Sequence, residues 1–168
     1  MNKERSQEFT PREGVIDTPK TGLSETFSAV TRHLRKNYAI DKGVLVLRDE
    51  GSHRLSAIST WHNGLSRAGL RVNLPSDGSL FAKVAEEGQV YTEDYCGAFS
   101  GNFFERKLLL DDDSRSFVLQ PLKCDGRVLG LLGYSSRRPT AFAMCEEGAW
   151  DELAGKLSSA IEQTAYRR

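Results

Sequence analysis

Two apolar runs separated by the dipeptide Asp125-Gly126 constrain the fold of this chain more than any other feature of its sequence. The first run covers residues 116–119 and the second covers residues 128–135. An Asp-Gly pair between such runs is a strong signal for the tight turn of a β-hairpin. Because both runs carry apolar residues at successive positions, they are typical of strands that are buried on both faces. We therefore predict an antiparallel hairpin in the middle of a sheet.

Helical periodicity is found on both sides of this hairpin. In the N-terminal part, the apolar side chains with helical spacing are Leu23, Phe27, Val30 and Leu34. In the C-terminal part they are Trp150, Leu153, Leu157, Ile161 and Ala165. Spacings of three and four residues place such side chains on one face of an amphipathic helix. A third, short helix is predicted around residues 80–85, and Gly88 is expected to end it.

Further strands are predicted between the first helix and the hairpin. Their residue ranges are 44–47, 55–60, 70–74 and 90–92. The stretch 93–113 has no clear period and is predicted to be irregular. Strands in this order, with helices before, between and after them, favour an α+β fold. We expect a central antiparallel sheet of about five to six strands, flanked by helices.

Length and charge limit the domain organisation and the partners. The 168 residues suit one domain, predicted over residues 21–168 after a flexible arm at residues 1–20. The arm is polar and contains neither a signal-peptide core nor a membrane span, so we expect a cytoplasmic protein without a membrane partner. The 23 basic and 23 acidic side chains cancel, so no nucleic-acid partner is expected.

The cysteines and the acidic run give no sign of a metal site. Cys96, Cys124 and Cys145 have no ligand spacing, and an odd number of cysteines suits a reducing compartment. The three carboxylates of residues 111–113 splay around a loop and are typical of a solvated turn. We therefore predict no metal and assign no cofactor.

Four stretches of the chain resemble the GAF domain family. They are SLFAKVAEEGQV at residues 79–90, RSFVLQPL at 115–122, DGRVLGLL at 125–132 and PTAF at 139–142. The resemblance implies the α+β sheet fold described above and a pocket above the sheet. In this family the pocket commonly binds cyclic nucleotides, bilins, haem or small metabolites in signal transduction. The resemblance therefore implies a sensory or regulatory domain that is not an enzyme. Such a domain would bind an unidentified small molecule and signal through a protein partner or a dimer.

The predicted ligand pocket lies between the third strand and the stretch 93–110. The aromatic side chains of that stretch, Tyr95, Phe99, Phe103 and Phe104, would form a lid over a flat or apolar ligand. Trp61 and His62, at the end of the second strand, would lie at the rim, and Ser116 would orient the ligand. The predicted ligand-binding residues are Trp61, His62, Tyr95, Phe99, Phe104 and Ser116. Alternatively, the aromatic rings simply anchor a loose segment to the core.

Three other functions follow from features of the same family. Asp94-Tyr95-Cys96 is similar to an Asp-x-Cys motif of bilin-binding members, but Gly97 departs from the expected Phe. Free methionine sulfoxide reductases are GAF enzymes of similar length, but Phe81 stands where they carry a cysteine near the start of the short helix. A third possibility is a pocketless scaffold that only dimerises. We expect a homodimer through the terminal helices in the regulatory case as well.

Overall fold

A computed structural model describes residues 19–69, 71–143 and 150–166 of the chain. Its helices are α1 (Pro19–Leu34), α2 (Leu80–Glu87), α3 (Phe103–Leu109) and α4 (Asp151–Tyr166). Its strands are β1 (Lys42–Arg48), β2 (Leu55–His62), β3 (Leu65–Arg67), β4 (Val72–Asn73), β5 (Tyr91–Glu93), β6 (Ser116–Cys124) and β7 (Arg127–Ser136). None of the helices in these ranges is long and apolar enough to cross a membrane.

The strands form one antiparallel sheet in the order β3-β2-β1-β7-β6-β5, and the short β4 also pairs with β2. The predicted α+β class is confirmed, and the β6–β7 hairpin lies inside the sheet between β1 and β5. Asp125 and Gly126 both adopt positive φ, at 53° and 79°. A two-residue hairpin turn of the type that matches strand twist needs two such residues, which explains the Asp-Gly pair.

Helices cover the sheet on both sides, and each side has its own apolar core. Helices α1 and α4 pack on one side, which we call the α1–α4 face, and α2 and α3 pack on the other, the α2–α3 face. Alternation along β1 supplies both cores, because Leu45 faces α1 and α4 while Val44 and Val46 face α2 and α3. The central strands are therefore buried on both sides, as the apolar runs predict.

The α1–α4 face is built around the fully buried ring of Tyr134. This ring stacks on Phe27 with a centroid distance of 6.2 Å, and its hydroxyl lies 2.6 Å from the Thr31 hydroxyl. Burial raises the pKa of the Tyr134 phenol, so the group stays neutral as a hydrogen-bonding partner of Thr31. Gly43 leaves room for the ring, since a Cβ there would lie 2.7 Å from it.

Two of the predicted elements need correction. The predicted strand at residues 70–74 is present but shorter, as β4 (Val72–Asn73), and a strand that was not predicted, β3 (Leu65–Arg67), pairs with β2 before it. The stretch 93–113 is not wholly irregular, because it contains α3. The sequence shows no apolar periodicity for α3, because the buried face of this helix carries the charged Glu105 as well as Leu109. Residues 1–18 of the predicted arm, Leu70, Cys145 and the side chain of Ala165 lie outside the described residues, and α1 already begins at Pro19.

Gly130 marks the tightest approach inside the sheet, and replacing it tests the central position of β7. A Cβ at this position would collide with the carbonyl oxygen of Val46 on β1, which is backbone and cannot rotate away. We expect Gly130→Ala to lower the free energy of unfolding by about 3 kcal/mol or more. Gly155→Ala is the matched control, because nothing lies within 4 Å of a Cβ there.

On α4 the same substitution should raise stability by about 0.5–1 kcal/mol, since alanine favours helix over glycine. Urea unfolding of both variants measures the difference. Equal effects in the two variants would contradict the close β1–β7 contact.

Candidate functional site

The α2–α3 face includes α3, which lies in the stretch predicted to be the lid, and it has an apolar core of its own. The Phe81 ring, which is 0% exposed, belongs to this core. Phe117 of β6 closes the other end, with Tyr91 stacked on it at 5.9 Å and Phe99 edge-on at 5.6 Å. Any ligand on this face would therefore lie where part of the stretch 94–110 now packs.

A buried carboxylate, that of Glu105 in the first turn of α3, connects the two helices of this face. Its side chain is 0% exposed and accepts hydrogen bonds from the amides of Leu80 at 2.8 Å and Phe81 at 3.3 Å, at the N-terminus of α2. The Ser79 hydroxyl, which caps α2, also donates to it. A helix N-terminus has unpaired amides and a positive end, so both its hydrogen-bonding capacity and its field favour this carboxylate.

The same carboxylate helps to begin its own helix. Asn102 and Glu105 form a capping box, in which the Asn102 side chain accepts from the Glu105 amide at 3.0 Å and Glu105 accepts from the Asn102 amide at 3.3 Å. The Asn102 amide group also donates to the carbonyls of Pro75 and Asp77. These contacts place the N-termini of α2 and α3 side by side over the sheet.

Aromatic side chains of the predicted lid lie mostly outside the core. Tyr95 is 71% exposed, Phe103 64% and Phe104 48%, whereas Phe99 is half-buried against Phe117. Phe103 and Phe104 contact each other edge to face at 5.8 Å. Phe99 thus anchors the segment to the core, whereas the other three rings are exposed to solvent.

The six residues predicted to bind a ligand do not share one pocket. Trp61 is buried in the core of the α1–α4 face, with the guanidinium of Arg35 4.8 Å from its ring centroid. The buried Ser116 hydroxyl donates to the Arg138 carbonyl at 2.6 Å and so fixes the connection after β7. Phe99 packs on the opposite face of the sheet. Moreover, β3 and β5 lie at opposite edges of the sheet, so the third strand and the start of the stretch 93–110 do not enclose one cavity.

Among the open clefts of the described structure, one begins directly beside the buried carboxylate. It lies between the β1–β2 turn and the N-terminus of α2 and is lined in part by Arg54, Asn73 and Ser79. None of the six predicted ligand-binding residues lines it. A role for Glu105, Ser79 or Arg54 was not predicted from the sequence. The spacing of Asn102 and Glu105 is a capping-box signal, and it is the signal that could have identified Glu105.

His62 takes part in a charged cluster at the C-terminal end of α3. Its Nε2 lies 3.0 Å from Asp111, whose carboxylate is also 3.5 Å from the Lys42 ammonium. Lys42 in turn donates to the carbonyls of Lys107 and Leu110, which α3 leaves unpaired. Burial alone would raise the pKa of Asp111, but the hydrogen bond from His62 and the charge of Lys42 outweigh it and hold that pKa below its ordinary value.

The two described cysteines are poorly suited to thiol chemistry. Burial raises the pKa of the Cys96 thiol, assisted by Glu93 and opposed by Arg106. A hydrogen bond to Glu162, followed by partial burial and nearby carboxylates, raises the pKa of Cys124 to about 11. Both thiols are therefore neutral near pH 7, and the thiolate is the nucleophile.

Geometry also keeps these two thiols apart. Cys96 donates its amide to the carbonyl of Arg115, just before β6, whereas Cys124 ends that nine-residue strand. Such a strand is about 30 Å long, far beyond the ~7 Å that a disulfide allows between Cα atoms. Within the described part of the chain, no group of three or more His, Cys, Asp or Glu side chains is arranged to hold a metal ion.

Comparisons with known proteins agree on one fold. Residues 20–162 match the family model described as the GAF domain. The structure is similar to the GAF domain of a two-component sensor histidine kinase from Bacillus halodurans, with a TM-score of 0.65 and 16% identity over 85% of this chain and 95% of that chain. No match was found among curated protein sequences.

Two enzymes have comparable similarity. The type II free methionine-R-sulfoxide reductase of Thermoplasma acidophilum gives a TM-score of 0.63 at 16% identity, over 88% of this chain and 96% of that chain. The free methionine-R-sulfoxide reductase of Neisseria meningitidis, solved with its substrate, gives 0.58 at 17% identity, over 95% and 99%. At these identities the similarity concerns the fold alone.

The Asp111 cluster predicts a pH-dependent contribution to stability. Because the pKa of Asp111 is lowered in the folded chain, its contribution is complete above the unfolded value of about 3.9 and is lost as the pH falls through the folded value. At pH 7 we expect Asp111→Asn to lower the free energy of unfolding by about 1 kcal/mol. The difference from the unsubstituted chain should shrink as the pH falls below about 4.

Asp113→Asn is the control for this test, since that exposed carboxylate has no described partner. Urea unfolding between pH 3 and pH 7 measures both variants. A loss for Asp111→Asn that does not change with pH would show that the charge pair is not its source.

Proposed function

This chain belongs to the GAF domain family, and we propose that it is a regulatory domain without catalytic activity that binds a small molecule on the α2–α3 face. One observation carries the proposal. The five large hydrophobic side chains that are exposed in the described structure include Tyr95, Phe103 and Phe104, all in or beside the segment that covers this face. Phe103 and Phe104 contact each other and form a continuous exposed apolar surface, a feature typical of binding sites.

In the proposed binding event the stretch 94–110 acts as the lid. Phe99 holds this stretch against Phe117, while the neighbouring rings remain free to contact a flat or apolar molecule. The molecule enters where the lid packs, so the site forms as the lid moves. A change of lid position would alter the surface that a signalling partner or a second copy contacts.

Co-purification tests ligand binding. We expect native mass spectrometry of the full chain to show a small molecule that is released on denaturation. Tyr95→Ser should reduce the bound fraction about fivefold, as expected for the loss of one aromatic contact. Leu65→Ser is the control, because Leu65 is 75% exposed but lies on β3, at the far edge of the sheet. A protein without adduct, or equal loss in both variants, would contradict the proposal.

Reduction of free methionine sulfoxide is the second candidate function, and the similarity in fold to the two reductases favours it. Against it stand three features of the chain. Phe81 is fully buried at the position where the resemblance places a catalytic cysteine, and Cys96 and Cys124 are neutral and lie at opposite ends of β6. Cys145, the third cysteine, lies outside the described residues.

Turnover measurements separate the two candidates. With a dithiol reductant supplied, we expect the purified chain to reduce free methionine sulfoxide no faster than a Cys96→Ser, Cys124→Ser, Cys145→Ser triple variant. Both proteins should match the reductant alone. Activity that the triple variant lacks would establish a thiol-dependent enzyme and remove the regulatory proposal.

The homodimer through the terminal helices remains a prediction, as does the cytoplasmic location. The apolar stripes of α1 and α4 are mostly used within the chain's own core, where Phe27, Leu157 and Ile161 are buried. The outer groove between these helices is mixed in character, with Glu25, His33, Glu152 and Lys156 beside Ala29, Val30 and Leu153. A dimer on this groove would thus rely on polar contacts as well as on small apolar ones.

A further inference from the structure

The first turn of α3 has an inverted arrangement, with its charge inside and its aromatic rings outside. Glu105 is 0% exposed, whereas the adjacent Phe104 is 48% exposed and Phe103 is 64% exposed. Glutamate is almost never fully buried unless it is paired, and phenylalanine is among the residues most often buried. Burial of apolar surface alone would therefore choose a different orientation of this helix.

A rotation by one residue would produce that other orientation. Successive residues of an α-helix are about 100° apart, so such a turn replaces Glu105 with Phe104 on the inward face. One helical turn further on, it replaces Leu109 with Leu108, which is equally apolar. The run of leucines at residues 108–110 thus fits the sheet in both orientations, and only the first turn distinguishes them.

We propose that α3 is a two-state lid, latched in the observed state by the Glu105 carboxylate and turned in the other state so that Phe104 faces the sheet. In the latched state Glu105 is held by Ser79 and by the amides of Leu80 and Phe81. In the turned state Glu105 reaches water and those amides lose their acceptor. The rotation also breaks the bond from the Ser135 hydroxyl to the Leu109 carbonyl.

One contact of α3 suits such a movement. Lys42 already bonds two carbonyls at the far end of α3, and its flexible side chain can exchange one acceptor for another. The role of the turned state as the ligand-accepting one rests on the proposed function, whereas the two orientations do not.

Hydrogen exchange of the ligand-free full chain tests the latch, read at the amides of Leu80 and Phe81. Glu105→Gln keeps the shape but removes the charge, so these amides should exchange about tenfold faster. Phe104→Ser removes the ring that the turned state buries, so they should exchange about three- to tenfold slower than in the unsubstituted chain. Amides of β6 and β7 serve as the internal standard for global unfolding.

Phe103→Ser is the matched control, because in the turned state Phe103 would only take the present, half-exposed place of Phe104 and would not reach the inward face. It should leave the exchange of Leu80 and Phe81 unchanged. If Phe104→Ser behaves like Phe103→Ser, or does not slow exchange, α3 has a single orientation and the proposal is overturned. Phe104→Ser changes only an exposed residue, so this test stands even if Glu105→Gln does not fold. Absence of a bound molecule in mass spectrometry would defeat the proposed function and leave this result intact.

Discussion

The two-sided burial of the central strands is the constraint on which the remaining structure depends. β1, β6 and β7 lie inside the sheet, and helices cover them on both sides. Strands in this position need glycine where another backbone or a large ring approaches, and Gly130 against Val46 and Gly43 against Tyr134 meet that need. Because each face has a separate core, one face can change its packing while the other holds the sheet together.

Unlike the α1–α4 face, the α2–α3 face depends on a polar interaction. On the former, ring contacts among Phe27, Tyr134 and Trp150 join helices and sheet through apolar burial. On the latter, two short helices meet at the Glu105 carboxylate. Taking a carboxylate out of water costs several kcal/mol unless it is hydrogen-bonded, and the Ser79 hydroxyl and the amides of Leu80 and Phe81 supply those bonds. The packing of this face therefore depends on a polar contact that a change of charge at Glu105 would weaken.

The comparisons bear on the choice between a regulatory and an enzymatic function for this chain. The regulatory and the reductase relatives share the fold at similar TM-scores, so the fold does not separate the two functions. A catalytic thiol requires a low pKa and a resolving partner, whereas Cys96 and Cys124 have raised pKa values and are separated by the length of β6, which argues against a reductase that uses these two thiols. The exposed aromatic rings beside the α2–α3 face are the feature that motivates the regulatory proposal.

Local signals in the sequence were sufficient for the family, the fold class and most elements. The apolar runs around Asp125-Gly126 predict the β6–β7 hairpin because turn chemistry and two-sided burial are both properties of adjacent residues. Gly88 likewise ends α2 with a φ of 67°, as a left-handed cap requires. The predicted strand at residues 70–74 is reduced to the two residues of β4, and β3 was not predicted, since the pairing of β3 with β2 depends on which edge of the sheet remains open.

The site depended on contacts that are distant in sequence. Trp61 and Phe99 are both apolar, and only the tertiary structure places them on opposite faces of the sheet. Sequence alone assigns Glu105 to a polar position, because a carboxylate is normally solvated. The tertiary structure decided otherwise: the N-terminus of α2, 25 residues earlier in the chain at Leu80, supplies the amides that make burial of this charge possible.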